Sequence, residues 1–99
     1  MAINVVLQTE NGKIRRQVID TSKGLNWILP IDNPSFPLLQ FVDPYGDTIF
    51  NEKQTRHLIE ELKTVIAAAA NPEERALLEQ VKDLAEQVDT HLYVRFVGD

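Results

Sequence analysis

Two apolar stripes at helical spacing, separated by an Asn-Pro pair, constrain this chain more than any other feature. After Asn51 the apolar residues Leu58, Ile59, Leu62, Val65, Ile66 and Ala69 fall within an arc of about 120° at 100° per residue. The same template returns at a fixed offset as Leu77, Leu78, Val81, Leu84, Ala85 and Val88. One continuous helix would rotate the second stripe away from the first by roughly 100°. Asn71-Pro72 also disfavours an unbroken helix, because proline pushes the residue before it out of the helical region. The pattern therefore predicts an αα-hairpin with both stripes on one core. Its ends carry local signals: Asn51 with Gln54 as a capping box, Asn71 as a second cap, Pro72 at the first helical position, and Glu73 and Glu74 at the positive end of the dipole.

The stripes need an apolar surface to cover, and the rest of the chain reads as strands. "INVVLQTENGKIRRQVID" predicts a β-hairpin, with Ile3, Val5 and Leu7 alternating and Asn11-Gly12 placed for a type I′ turn. "LLQFVD", Leu38 to Asp43, and "DTIF" predict a second hairpin around the turn "PYG", where Pro44 presets φ and Gly46 is free to adopt a positive one. "HLYVRFVGD" predicts a closing strand with Leu92, Val94 and Phe96 on one face. Between the hairpins, Leu25, Trp27, Ile28 and Leu29 suit one helical turn. The large apolar residues Trp27 and Phe36 suggest that this Pro-rich connection covers part of a core. The expected fold is α+β: a small antiparallel or mixed sheet, ββ-loop-ββ-αα-β, with the αα-hairpin on one face. With 99 residues, a single domain over 1–99 is expected.

Composition narrows the function classes. A net charge of −5 argues against a nucleic-acid partner, which needs a basic footprint to displace counterions. The chain has no cysteine, which removes disulfides, thiolate metal sites and a thiol nucleophile. The first residues lack the basic and apolar regions of a signal peptide, and the longest apolar run, "VIAAAA", is far short of a membrane span. A cytoplasmic location with no membrane partner is the expectation.

Candidate chemistry is sparse. Asp43, Asp47, Asn51 and Glu52 offer oxygen ligands, but Pro44 and Tyr45 break the alternating spacing of a calcium loop, so no metal or cofactor is expected. His57 and Glu61 lie four apart on a helix. Without a second histidine nearby, they read as a solvated pair. His91 is the other histidine. Ser22 and Ser35 lack a nucleophile elbow. No catalytic residue stands out. What folding leaves unexplained is Tyr45 with Asp43, Asp47 and Glu52, an acidic-aromatic patch suited to binding a protein. The ordinary reading beside it places Phe41 and Phe50 in the core and leaves Tyr45 partly exposed.

These residues also carry a resemblance. "FVDPYGDTIFNEKQTRHLIEEL", with the closing "HLYVRFVGD", resembles a family of small uncharacterised bacterial proteins that share a D-P-Y-G-D-T-x-F-N-x-x-Q turn-to-helix motif. The likeness covers about a third of the chain, through Asp43, Tyr45-Gly46-Asp47, Phe50-Asn51, Gln54 and Leu58 to Leu62. It implies a bacterial, cytosolic, single-domain protein with an immunity-like or accessory role, and it transfers no catalytic residue. Three functions follow as expectations. The first is a non-enzymatic interaction module for an unidentified, basic or mixed-charge protein. The second is a small enzyme or ligand-binding domain using His57 and Glu61, or His91. The third is a homodimeric subunit associating through Val6, Tyr93 and Val97 on the outer sheet face.

Overall fold

A computed structural model of the protein describes residues 2–21 and 24–99. The elements in chain order are β1 (Ile3–Thr9), β2 (Ile14–Val18), α1 (Leu25–Ile28), a 3₁₀ turn (Leu39–Phe41), β3 (Asp47–Phe50), α2 (Glu52–Ala67), α3 (Pro72–Ala85) and β4 (Leu92–Gly98). The strands form one sheet in the order β2-β1-β4-β3, and every neighbouring pair is antiparallel. This is the expected α+β class, with the helical pair on one face.

The first hairpin forms, but its turn is not type I′. Asn11 keeps a negative φ, and Gly12 adopts φ +88°. The Gly12 N–H donates to the Thr9 carbonyl, and the Thr9 N–H donates to the Lys13 carbonyl, which closes a three-residue loop. One left-handed position suffices there, and glycine fills it without a Cβ clash. The extra loop residue is absorbed by a register break opposite Leu7 and Gln8, which makes β2 less regular than β1.

The predicted strand from Leu38 to Asp43 is instead the 3₁₀ turn. Leu39 and Val42 are both buried and stand three residues apart, which is one full 3₁₀ repeat rather than the two-residue period of a strand. Phe41 points out, although its sequence setting suggests a core residue. The turn is held from a distance: the Glu61 carboxylate on α2 accepts from the Leu38 N–H at 3.1 Å and the Leu39 N–H at 3.0 Å. A carboxylate that satisfies two helical-turn amides favours that turn over an extended chain with unpaired donors. β3 therefore has no upstream partner and pairs with β4 instead.

Asp20 plays the same part at the other end of the connection. Its carboxylate accepts from Ile3 N–H at 2.8 Å, from Thr21 N–H at 2.8 Å and from Leu25 N–H at 3.0 Å. Its own N–H donates to Asn4 Oδ1 at 2.9 Å. One side chain thus ties the start of β1 to the start of α1.

The core lies between the sheet and the helical pair. Val5, Leu7, Val94, Phe96 and Phe50 supply the sheet side, and both predicted stripes supply the other, through Leu58, Leu62, Leu78, Val81 and Leu84 among others. Phe50 meets Phe96 edge-on, with ring centroids 5.8 Å apart and planes at 85°. The caps form as the sequence implies: Asn51 and Gln54 make the reciprocal capping box, and Asn71 accepts from the Glu74 N–H. Among the described residues, no helix is long and apolar enough to cross a membrane.

Truncating Phe96 to alanine is expected to lower stability by about 3–5 kcal/mol through loss of burial and the cavity left behind. Asp20→Ala is expected to lower it by about 2 kcal/mol, because up to three amides lose a charged acceptor. Urea denaturation followed by circular dichroism measures both.

Candidate functional site

The stretch Asp43–Asp47 is built as a doubly anchored turn. Asp43 Oδ1 accepts from the Tyr45 N–H at 2.8 Å, and the Asp43 N–H donates to Thr48 Oγ1 at 2.9 Å. These local side-chain bonds are the turn chemistry expected of aspartate. Gly46 does not use a positive φ; the described glycines with one are Gly12 and Gly24. The turn is then fastened to the end of β4. The Gly98 N–H donates to the Gly46 carbonyl at 2.8 Å, and the Asp99 N–H donates to the Pro44 carbonyl at 3.1 Å. A Cβ on Gly98 would lie 2.5 Å from the Pro44 carbonyl carbon and oxygen, so this crossing requires glycine.

The anchored turn leaves Tyr45 at its tip, 69% exposed, with Asp43 and Asp47 exposed beside it. Phe41, just upstream, is also 69% exposed, and Ile49 on β3 is 52% exposed. Neither was singled out as a surface residue from the sequence. Ile49 carries a usable signal: Thr48 and Phe50 flank it in a strand whose core residue is Phe50, so alternation sends Ile49 outward. Asp47 stands 3.7 Å from Arg95 Nη1 on the neighbouring strand.

Glu52 does not join this cluster. Asp47 is paired with Val97 and Phe50 with Val94, so the whole of β3 lies between Tyr45 and Glu52. At about 3.3 Å per residue the two acids are roughly 15 Å apart. Glu52 instead pairs with Arg56 one helical turn on, and it borders a concavity of about 330 Å³ shared with Asn51, Lys53, His91 and Tyr93. The predicted patch is therefore a strip along β3, with Asp43, Tyr45 and Asp47 at one end and Glu52 at the other.

The histidines sit in other places. His57 and Glu61 line a concavity of about 420 Å³ with Pro37, Leu38, Lys53 and Gln54. They are not a simple solvated pair, because the Glu61 carboxylate is engaged by the Leu38 and Leu39 amides. That engagement commits its oxygens to holding the 3₁₀ turn. His91 lies in a larger concavity, about 580 Å³, with Glu10, Arg15, Asp89 and Thr90 among its lining residues. Its Nδ1 is 2.7 Å from Glu10 Oε1, and its backbone has φ +71° in the turn closed by the Leu92 N–H on the Asp89 carbonyl. Ser35 is exposed in the Pro-rich connection, and Ser22 lies outside the described residues. Among the described residues, no three His, Asp or Glu side chains converge as metal ligands.

Trp27 differs from its expected role. It is 83% exposed rather than covering the core, which Ile28, Phe36 and Leu38 do from the same connection. On the outer sheet face Val6 is only 3% exposed, and Tyr93 and Val97 are half-buried. Two buried polar atoms on that face, Gln8 Oε1 and Arg95 Nε, have no hydrogen-bond partner.

Gly98→Ala is expected to push the Asp43–Gly46 turn off β4 and to cost about 1–3 kcal/mol by overpacking. Two-dimensional amide spectra should show the largest changes at Tyr45, Gly46 and Asp99. Compared with family models, curated proteins and solved structures, the chain finds no match.

Proposed function

We propose that this protein is a non-enzymatic interaction module of a bacterial cytoplasm, immunity-like or accessory in role. It docks a basic or mixed-charge protein through Asp43, Tyr45 and Asp47, with Glu52 extending the surface along β3. The observation that carries this reading is the exposure of Tyr45 on a turn anchored at both ends. Folding needs the Asp43 carboxylate, the Pro44 and Gly46 carbonyls and Gly98, but makes no use of the Tyr45 ring. A rigidly presented aromatic side chain loses little conformational freedom on binding, which is why tyrosine anchors so many protein interfaces. Asp43 and Asp47 beside it, in a chain of net charge −5, favour a positively charged partner and steer its approach.

The competing ligand-binding reading is weakened at Glu61, whose carboxylate is already engaged. A homodimeric subunit draws support from the sheet face opposite the helices, where Ile49, Tyr93 and Val97 lie; light scattering across protein concentrations measures that association directly.

The docking reading is tested with a partner isolated on the immobilised protein from bacterial lysate, then identified, purified and measured by calorimetry. The combined variant Asp43→Asn, Tyr45→Ala, Asp47→Lys is expected to weaken its affinity at least tenfold, and added salt to weaken the wild-type complex. Asp43→Asn keeps the side-chain oxygen that Tyr45 N–H uses, so the turn survives. An affinity unchanged by the variant would overturn the proposal.

A further inference from the structure

The sheet has two outer edges, and they are defended differently. β2 carries Arg15 and Arg16 and is broken in register opposite Leu7 and Gln8. Charges and bulges of this kind discourage a further strand. β3 is short, but it pairs with β4 without a register break. The bond from Gly98 N–H to the Gly46 carbonyl fixes the phase of that ladder. Because hydrogen-bonded and non-bonded pairs alternate in an antiparallel ladder, Thr48 and Phe50 turn their backbone groups toward β4. Asp47 and Ile49 turn theirs away from the sheet. β3 is the last strand in the sheet order, so among the described residues no further strand meets those groups. The side chains along this edge are chemically one-sided. Tyr45 and Ile49 are exposed and apolar in body, and Asp43, Asp47 and Glu52 are acidic.

We infer that β3 is a strand-addition site for an extended basic segment of the partner. The inference rests on the docking reading above and gives it a geometry. The added strand pairs its main chain with the outward N–H and C=O groups of Asp47 and Ile49. About five extended residues reach from Asp47 to Glu52. Asp47 and Ile49 are two residues apart and share the outer face of the sheet, so one face of the added strand meets both: a lysine or arginine reaches Asp47, with Asp43 or Glu52 beyond it, and two residues along an apolar residue packs on Ile49 or Tyr45. Main-chain bonds supply affinity in this mode, and the alternate side chains supply specificity. The separation of Glu52 from Tyr45, which breaks a compact patch, is what an extended ligand requires.

The test uses the full chain, isotopically labelled, titrated with a capped heptapeptide that carries lysine and valine in turn at its odd positions with threonine between them, and with the counterpart in which glutamate replaces lysine. Addition of the basic peptide is expected to shift the Asp47 and Ile49 amides most and to slow their hydrogen exchange at least tenfold at saturation. The acidic peptide is expected to do neither. Ile49→Pro removes an N–H that the fold does not use and is expected to abolish the effect while the circular dichroism spectrum is retained. Should that variant unfold, the exchange rates of the wild-type amides decide alone. Shifts around Tyr45 with no slowing at Asp47 and Ile49 would overturn strand addition and leave side-chain docking standing. No shift along β3 at millimolar peptide, or protection appearing on β2 instead, would also overturn it, whereas the docking reading falls separately, in the assay with the purified partner.

Discussion

The inner face of β1 and β4 has to be covered, and most of the architecture answers to that requirement. Val5, Leu7, Val94 and Phe96 sit in the two central strands and are removed from water almost completely. At about 25 cal/mol per Å² of apolar surface, leaving such a face wet would offset much of a small domain's stability. Neither helix stripe alone spans a four-stranded sheet. Two antiparallel stripes side by side do, and the Asn71-Pro72 break is what lets them face the same way.

The parts of this arrangement that were legible in the sequence are those governed by short-range periodicity and capping. The stripe on α3 is buried as its spacing implies, and the caps at Asn51 and Asn71 use residues three apart in the chain. What was not legible depends on distant partners. The 3₁₀ turn at Leu39 is held by a carboxylate more than twenty residues away, on α2. Without that contact, "LLQFV" is a reasonable strand. The exposure of Trp27 and Phe41 has the same origin: their neighbours Ile28, Phe36, Leu39 and Val42 already fill the space over the core. Of the candidate site, Tyr45, Asp43 and Asp47 could be grouped from sequence because a turn keeps them close. Glu52 could not be placed, because its distance depends on whether the residues between form a strand or a loop.

Carboxylates do the long-range fastening in this protein. Asp20 joins β1 to α1, and Glu61 joins α2 to the 3₁₀ turn, each by accepting backbone amides rather than by ion pairing. Such bonds are only weakly screened by salt when partly buried. The ion pairs described, such as Glu52–Arg56 and Glu60–Lys63, are surface contacts of small individual weight. Asp20 and Glu61 thus have a defined structural use in the connection, while along β3 Asp43 holds its own turn, Asp47 lies 3.7 Å from Arg95 and Glu52 pairs with Arg56. Those three carboxylates remain at least partly exposed on that edge.

The position of β4 has a kinetic consequence. It follows every other described element in the chain, yet it lies between β1 and β3 in the sheet. During synthesis the β1–β2 hairpin and the α2–α3 pair can assemble early, since their contacts are local. β3 has no strand to pair with, and the apolar face of β1 has half a sheet, until β4 leaves the ribosome. The closing step then joins residues as far apart as Ile3 and Gly98 in one register. Long-range pairing of this kind is slow compared with local contacts. A nascent chain halted before β4 would hold two unsatisfied strand edges and an open core, which is the form most exposed to chaperones and to misassociation.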